Sequence, residues 1–369
     1  MSLKAKKICI VGISLARGGA ERAMALQSKI FTDLGYEVHI IILNDDIDYP
    51  FAGTIFNLGK TKTGKDNFLK RFWRMHQIRK YVIQHNFDFL VDHRPKDEYF
   101  KELLYAKYAY QHLKNRIYVV HSARKETYLT DKPYKISSIY NKNYATVAVS
   151  NFIKTELLPE YGIKKTTQIY NPFYEVKENA MGEFPEMLKD KKYILSYGRL
   201  VDATKDFRFL IRSFEASRLW QHHIHLVIMG KGPDLQMLKD YAQQTQARDK
   251  ILFLPFQKEP FLIIKNSRFV TLTSNYEGFP MVLLESLSLG TPVVSLDIKS
   301  GPSEIIQHQK NGLLVKNRDE KDFAKAMKLL WNDEAFYAEI KKNTSLSLNK
   351  FSLEKITSQW EGLFENTSV

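Results

Sequence analysis

The chain has 369 residues, of which 44% are hydrophobic and 26% are charged, as in an ordinary soluble globular protein. This length is large for a single hydrophobic core, so two domains are expected. The single cysteine, Cys9, excludes a disulfide within the chain and a cysteine-based metal site. No apolar run approaches the length of a membrane span, and cytoplasmic residence is therefore expected.

The net charge of +14 is unevenly distributed, and most of the excess lies in residues 51–150. A basic surface favours an anionic partner such as nucleic acid, acidic lipid or a phosphorylated acceptor. Charge alone does not choose among these three classes of partner.

The first predicted elements are a buried strand at residues 6–12, a loop with Gly18 and Gly19, and a helix at 20–34. Such a unit directs the free backbone amides of a helix N-terminus toward a ligand. The glycine spacing does not give G-x-G-x-x-G, which argues against a nicotinamide enzyme. From spacing alone, a phosphate-side loop and a plain tight turn are equally good interpretations.

A helix with a basic and aromatic surface is predicted for residues 65–84, after strands at 36–43 and 54–59. Its apolar stripe contains Phe68, Phe72, Met75 and Val82. Its other faces carry Lys70, Arg71, Arg74, Arg79 and Lys80. The favoured interpretation is a domain helix with its apolar stripe on the sheet. The alternative is a helix that lies on an anionic membrane surface.

Two histidines are predicted at the carboxyl ends of parallel strands, where ligands of open α/β sheets bind. His93 ends a strand at 88–93, and His121 lies near the end of a strand at 116–122, with a helix at 98–113 between them. A lone histidine is more often structural than catalytic. No histidine spacing in the chain is convincing for a metal site.

The first domain is predicted to cover residues 1–173. A strand at 146–150, a helix at 151–161 and a strand at 167–170 complete it, and the polar stretch 174–190 reads as a linker. Strands and helices then alternate again through a second domain at 191–350. A last helix begins at 351.

Loops of the second domain carry glycine, cations and an aromatic ring. Gly198 and Arg199 follow a strand at 193–198, with Lys205 shortly after them. Gly230 and Lys231 follow a strand at 225–229. A strand at 251–254 leads to Pro255 and Phe256.

The stretch SNYEGFPMVLLESLSLGTPVV, residues 274–294, places two carboxylates around a helix N-terminus. A helix is predicted from Pro280 to about Leu289, because proline suits the first helical position and Gly290 suits the C-terminal stop. Glu277 then lies before the helix and Glu285 inside it. A carboxylate on so apolar a helix is costly to bury without a partner. The free amides suit a phosphate, and the carboxylates suit sugar hydroxyls.

This stretch resembles the Glu-x7-Glu signature of retaining GT-B glycosyltransferases of the family-4 type. The matching residues are Glu277, Gly278, Phe279, Pro280, Glu285, Gly290, Pro292 and Val293. The resemblance covers nearly the whole chain and is weakest at 45–115, where the acceptor is expected. It implies an α/β fold with GT-B architecture, in which two Rossmann-like domains with parallel sheets face each other across a cleft. It also implies that residues 351–369 cross back to the first domain.

The resemblance implies roles for individual residues. Glu277 and His121 are expected to contact the transferred sugar, Arg199 and Lys205 to bind the diphosphate, and Glu285 to hold the ribose. The implied catalytic residues are Glu277, His121, Arg199 and Lys205. The implied donor-binding residues are Gly18, Gly19, Gly198, Gly230, Lys231, Pro255, Phe256, Gly278, Phe279, Pro280 and Glu285. His93 and Arg94 are weaker candidates for the acceptor side.

The expected activity is transfer of a hexosyl unit from a nucleotide-diphospho-sugar, a uridine one, to a hydroxyl with retention of configuration. No cofactor and no obligatory metal are expected. The expected acceptor is a cell-surface polysaccharide or a lipid-linked glycan, and residues 65–84 would contact the inner membrane face if the membrane interpretation holds. A nucleic-acid partner is not expected, because no groove of base-stacking aromatics is evident.

Two other classes of function stay open. A sugar-nucleotide epimerase shares the fold and would yield an epimer without an acceptor. A non-catalytic module would bind the nucleotide sugar or glycan without turnover.

Overall fold

The computed structural model describes residues 5–16, 18–62, 67–173, 181–316 and 318–365. The chain divides into two compact units, which we call unit 1 (Met1–Pro172 with Leu353–Val369) and unit 2 (Phe173–Ser352). Each unit contains one sheet, and all strand pairs of both sheets within these ranges are parallel.

Unit 1 is built from strands that alternate with helices. Its strands are β1 (Lys7–Gly12), β2 (Glu37–Ile42), β3 (Thr54–Asn57), β4 (Phe89–Asp92), β5 (Asn115–Val120), β6 (Ala145–Ala148) and β7 (Thr166–Gln168). Its first helices are α1 (Gly19–Asp33), α2 (Phe68–His85), α3 (Tyr99–Leu104), α4 (Lys125–Tyr128), α5 (Pro133–Tyr140) and α6 (Leu158–Glu160). Two π-helical turns, Tyr105–Ala109 and Ile153–Leu157, accompany α3 and α6.

The strand order in unit 1 is β3-β2-β1-β4-β5-β6-β7, so the direction of winding reverses between β1 and β4. β1, β2 and β4 are buried on both faces along most of their length, as expected for a parallel sheet covered by helices. At such a reversal, the loops that leave neighbouring strands diverge and open a crevice at the carboxyl edge of the sheet. The loops after β1 and β4 lie at this position.

Unit 2 repeats the alternation. Its strands are β8 (Tyr193–Tyr197), β9 (His225–Met229), β10 (Ile251–Leu254), β11 (Val270–Leu272), β12 (Val293–Leu296) and β13 (Gly312–Val315). Its helices are α7 (Asp202–Lys205), α8 (Phe207–Ser217), α9 (Leu235–Gln243), α10 (Phe261–Asn266), α11 (Met281–Ser288), α12 (Pro302–Ile305), α13 (Glu320–Asn332) and α14 (Glu334–Lys342). The order β10-β9-β8-β11-β12-β13 places the reversal between β8 and β11.

Most predicted elements are confirmed to within a few residues. The helix expected from Pro280 is α11, which begins one residue later, with Pro280 as its N-cap. The helix expected at 98–113 is shorter, because α3 passes into a π-helical turn that ends at Ala109. Of the predicted linker, residues 174–180 lie outside the described residues.

The prediction for the basic helix is only half right. The helix begins at Phe68, capped by the side chain of Asn67, and residues 65 and 66 lie outside the described residues. Met75 and Val82 are buried as expected, whereas Phe68 is 73% and Phe72 is 41% exposed. An 18-residue helix is about 27 Å long, while the four residues of β4 span about 13 Å. The first turns of α2 therefore extend beyond the part of the helix that packs on the sheet.

The last helix, α15 (Leu353–Glu365), packs on unit 1. Trp360 and Phe364 are fully buried, and both rings contact Phe31 edge-on with centroids 5.2 and 5.0 Å away. The Tyr144 hydroxyl donates to the carbonyl oxygen of Leu363 at 2.9 Å. The helix begins two residues later than predicted.

Among the described residues, no helix combines the length and the apolar character that a membrane span requires.

Trp360→Ala is expected to lower the free energy of unfolding by about 3–5 kcal/mol, because it leaves a cavity against Phe31 in the core of unit 1. Gln359→Ala, at an exposed position of the same helix, is the matched control and should change the stability by less than about 0.5 kcal/mol. Urea unfolding followed by far-UV circular dichroism measures both variants. Equal stabilities for the two variants would contradict this packing.

Candidate active site

The two oppositely charged residues of the predicted site meet at the winding reversal of unit 2. Lys205 is the last residue of α7, which follows β8, and Glu277 lies in the loop after β11. Lys205 Nζ lies 2.6 Å from Glu277 Oε1, and the two side chains are only 18% and 13% exposed. The hydroxyl of Ser274 donates to the same carboxylate oxygen at 2.6 Å. Two residues that were predicted from the sequence to belong to one site are therefore in direct contact.

Further hydrogen bonds join the segments that carry this ion pair. The backbone amide of Asn275 donates to the carbonyl oxygen of Thr204 at 2.7 Å. The hydroxyl of Thr273 lies 3.0 Å from the carbonyl oxygen of Lys205. The loop after β11, which carries Glu277, and the segment after β8, which carries Lys205, therefore form one connected structure.

Arg318, on the connection from β13 to α13, also reaches these segments. Its guanidinium donates to the carboxylate of Asp206 at 2.7 Å and to the carbonyl oxygens of Thr273 at 3.1 Å and Ser274 at 2.7 Å. Sequence reasoning missed Arg318, because no local pattern marks an arginine whose partners lie 44 to 112 positions away.

The second glutamate of the motif is buried and has a partner that the sequence did not reveal. Glu285 is 4% exposed in the middle of α11. The Tyr197 hydroxyl at the end of β8 lies 2.9 Å from the Glu285 carboxylate and 3.1 Å from the carbonyl oxygen of Val282. The cost of burying this carboxylate is thus reduced by a hydrogen bond from the neighbouring strand.

The glycine loops of unit 2 lie against each other. Gly230 has φ 154°, and a Cβ there would lie 1.9 Å from the carbonyl oxygen of Gly198, so the close approach requires glycine. In the same region, Lys231 Nζ lies 4.7 Å from the ring centre of Phe256. Pro255 is exposed.

The turn before α11 is held from two sides. The hydroxyl of Ser300 donates to the carbonyl oxygen of Gly278 at 2.8 Å. The Phe279 ring packs on Phe351 with centroids 5.1 Å apart.

Arg199, in the loop after β8, differs from the other site residues, because its exposed side chain makes no hydrogen bond or ion pair with any residue in the ranges described above. It is therefore available to an external anion.

In unit 1, the predicted His121 forms a pair with His93. His93 Nδ1 lies 2.8 Å from His121 Nε2, which is a hydrogen-bond distance. Burial and the charge of Lys96 lower the pKa of His93 to about 3. Burial, His93 and Lys96 also hold the pKa of His121 well below its usual value. Both rings are therefore neutral at pH 7.

Arg94 does not belong to a binding surface, and its interpretation as an acceptor contact is wrong. It is 2% exposed, and its guanidinium donates to Asp92 at 2.8 Å and to Glu102 at 3.0 Å. Lys96, fully buried beside them, donates to the carbonyl oxygen of Arg94 at 2.9 Å. These groups form an internal ion cluster behind the histidine pair.

Gly18 and Gly19 lie at the start of α1, after β1. Gly18 is the N-cap with extended backbone, and its carbonyl oxygen accepts from the amide of Arg22 at 3.0 Å. Gly19 is the first helical residue. Across the part of the chain that the structure describes, no group of three or more His, Cys, Asp and Glu residues has the arrangement of a metal site.

Two family models match consecutive parts of the chain. The model described as Glycosyltransferase Family 4 matches residues 17–173, and the model described as Glycosyl transferases group 1 matches residues 182–346. The chain belongs to the GT-B glycosyltransferases of the family-4 type.

Two relatives differ in how much of the chain they cover. An N-acetylgalactosamine-N,N'-diacetylbacillosaminyl-diphospho-undecaprenol 4-alpha-N-acetylgalactosaminyltransferase from Campylobacter jejuni is 28% identical over 371 residues, which cover 95% of this chain and 97% of that protein. An uncharacterized glycosyltransferase from Haemophilus influenzae is 24% identical over 217 residues, which cover 59% of this chain and 60% of that protein. The second match thus spans less than two thirds of the relative.

The fold is shared with solved glycosyltransferase structures. HepE from Anabaena, crystallised in complex with UDP-glucose, aligns with a TM-score of 0.78 at 18% sequence identity. The alignment covers 97% of this chain and 99% of HepE. With the two parallel sheets described above, this similarity establishes the GT-B fold class.

His93→Asn is expected to make stability less sensitive to acid. The folded protein holds this imidazole neutral down to about pH 3, whereas the unfolded chain takes up a proton near pH 6.5. The contribution of His93 to the free energy of unfolding is thus fully present above pH 6.5. It is lost as the pH falls below 6.5, by about 1.4 kcal/mol per pH unit. Urea unfolding from pH 7 to 5 should therefore show a shallower decline for the variant.

His222→Asn, at an exposed position of unit 2, is the control and is expected to follow the wild-type decline. Parallel stability curves for wild type and His93→Asn would contradict a buried neutral His93.

Proposed function

We propose that the protein transfers a hexosyl unit from a uridine-diphosphate sugar to a hydroxyl acceptor, with retention of configuration. The observation that carries this proposal is the contact between Lys205 and Glu277 at the winding reversal of unit 2, with the buried Glu285 in the helix that follows. One edge of one sheet then supplies a cation for a diphosphate, a carboxylate for a sugar and a second carboxylate for a ribose.

In the proposed donor complex, Lys205 and the exposed Arg199 neutralise the diphosphate. Both residues belong to the segment after β8, so their cations stabilise negative charge as it develops on the leaving group. Glu277, released from Lys205 by the incoming phosphates, accepts hydrogen bonds from the sugar. The free amides at the start of α11 add a partial positive charge on the same side.

Glu285 holds the ribose hydroxyls in this proposal. A buried carboxylate accepts strong hydrogen bonds, and Tyr197 occupies one of its oxygens and so fixes its orientation. Lys231 and Phe256 lie close together on the neighbouring loops, and in this proposal they contact the nucleotide.

The proposed reaction is a substitution on one face of the sugar. The bond between the anomeric carbon and the diphosphate oxygen breaks, and the acceptor oxygen forms the new bond from the same side. The acceptor proton passes to the departing diphosphate oxygen, so the products are the glycoside and the nucleoside diphosphate. Glu277 positions the sugar, and the expected contact of His121 with the sugar, as a neutral ring, stays a prediction. Since Lys205 and Arg199 supply the positive charge, we propose that no metal is required.

Two named proteins support the choice of substrates. HepE was crystallised with UDP-glucose, and the name of the Campylobacter relative specifies a diphospho-undecaprenol acceptor. We therefore propose a uridine donor and a glycan acceptor of the lipid-linked or cell-surface polysaccharide class.

Lys205→Ala and Glu285→Ala are expected to fail at different steps. Lys205→Ala should lower kcat by about 100- to 1000-fold, because a fixed cation is lost from the developing diphosphate charge. Glu285→Ala should weaken uridine diphosphate binding by about tenfold or more, because the ribose loses charge-assisted hydrogen bonds. Isothermal titration and a transfer assay with and without EDTA measure both effects.

Lys328→Ala, at an exposed position of α13, is the matched control and should behave as the wild type.

A thermal-shift screen with uridine, guanosine and adenosine diphosphates and their sugar conjugates identifies the base, because a ligand of the native state raises the melting temperature. Unchanged binding and transfer in both site variants would contradict the proposal. If the protein instead converted the donor to its epimer without any acceptor, the activity would be that of a sugar-nucleotide epimerase and not of a transferase.

We also propose that unit 1 contacts the inner membrane face through an exposed surface, the aromatic–basic face. Its apolar residues are Phe68, Leu69, Phe72 and Trp73 of α2 and Phe100 and Leu104 of α3, all more than 40% exposed. The Phe72 ring stacks on Tyr108, in the π-helical turn that follows α3, with centroids 5.4 Å apart, and this contact connects α2 to the α3 segment.

Basic groups border this apolar surface. Arg71 is exposed on α2, and Lys132 Nζ lies 4.2 Å from the ring centre of Phe100. Aromatic rings among lysines and arginines suit the interface of an anionic bilayer, where the rings enter the headgroup region and the cations meet lipid phosphates.

Phe68→Ser with Phe72→Ser is expected to weaken binding to vesicles of phosphatidylcholine and phosphatidylglycerol by about tenfold or more, since two aromatic rings no longer enter the bilayer. Ile83→Ser, at an exposed position near the other end of α2, is the matched control and should bind as the wild type. Co-sedimentation at low and high salt measures the binding. Equal binding of both variants, or tighter binding to single-stranded DNA than to vesicles, would contradict the proposal.

A further inference from the structure

Arg318 makes contacts that an ordinary surface arginine does not make. It follows β13, one of the two edge strands of the described sheet of unit 2, yet its guanidinium lies against the loop after β11, two strands away. Three acceptors receive its hydrogen bonds, and two of them are backbone carbonyl oxygens, of Thr273 and Ser274. The guanidinium also lies 5.6 Å from the ring centre of Phe209.

The acceptors of Arg318 adjoin the two charged residues of the site. Ser274 lies three residues before Glu277 and donates its own hydroxyl to that carboxylate. Asp206 directly follows Lys205, adopts the left-handed conformation with φ 50°, and caps α8 through the amide of Phe209. A single planar group therefore contacts both segments that carry the ion pair.

We propose that Arg318 is a positioning residue that ties the turn of Lys205 to the loop of Glu277. The separation and orientation of the two charged groups then depend on a side chain that belongs to neither segment. For its effect on catalysis, the inference rests on the proposed function. The connection itself exists in the protein without any ligand.

The chemistry of the side chain explains why an arginine occupies this position. A guanidinium is planar and holds its five N–H donors in a fixed fork, so it serves a carboxylate and two carbonyl oxygens at the same time. A lysine at this position would carry the charge but would direct a single ammonium group at the three acceptors. The Asp206 carboxylate is the acceptor on the turn of Lys205, and the two carbonyl oxygens lie on the loop of Glu277, so the connection depends on both kinds of contact.

The first test needs no substrate. Hydrogen exchange of the unliganded protein should be about tenfold faster at residues 202–206 and 272–278 in Arg318→Ala than in the wild type, and β9 should be unchanged. Arg318→Lys should lie between the two. Arg268→Ala is the matched control, because Arg268 also binds a carboxylate and a carbonyl oxygen, of Glu334 and Trp331, at the other end of β11. Exchange in both segments equal to the wild type would overturn the proposal.

The second test separates positioning from general stability. At a temperature where all variants are folded, kcat of Arg318→Ala should fall by about 10- to 100-fold, because small displacements of reacting groups are costly. Arg318→Lys should recover part of this loss, and Arg268→Ala should retain wild-type kcat even if its melting temperature falls. A loss of kcat that follows the melting temperature in all three variants would overturn the catalytic part of the inference.

These results also separate the inference from the proposed function. If the wild type neither binds a nucleotide nor transfers a sugar, the proposed function is wrong, while the exchange rates still decide whether Arg318 connects the two segments.

Discussion

The contact between Lys205 and Glu277 is the constraint on which the organisation of unit 2 depends. Two opposite charges are held 2.6 Å apart with little exposure, and removal of either one would leave the other buried and uncompensated. Neighbouring parallel strands, β8 and β11, deliver them to the same edge of the sheet. In the donor complex that we propose, the diphosphate replaces Glu277 as the partner of Lys205. The displaced carboxylate is then free to accept hydrogen bonds, so one binding event would prepare both groups.

The two units solve the problem of buried polar groups in different ways. Unit 2 keeps both charges of its central pair and compensates them by contact. In unit 1, His93 and His121 share a hydrogen bond, and burial and the nearby Lys96 lower the pKa of both rings, with His93 adding to the effect on His121. The first arrangement suits a charged ligand. The second offers neutral rings, each of which can donate or accept a hydrogen bond, which suits uncharged hydroxyl groups.

Sequence reasoning found the parts of the fold and of the site that have local signals. Alternating apolar strands and helices predict α/β units, and a proline between Glu277 and an apolar helix predicts the start of α11. Tyr197 and Arg318 have no such signal, because their partners lie 88 and up to 112 positions away and only the strand order brings them near. His93 and His121 were found as strand ends, but their direct contact depends on the pairing of β4 with β5.

The basic helix α2 shows a different limit of sequence reasoning. A periodic pattern indicates which side of a helix is apolar, but not where the sheet beneath it ends. Because α2 is longer than the neighbouring β4, the same apolar stripe is core at Met75 and surface at Phe68. α2 leads from its C-terminus into β4, so its exposed first turns lie toward the carboxyl edge of the unit 1 sheet. His93 follows β4 at that edge, so the aromatic–basic face and the histidine pair belong to the same side of unit 1.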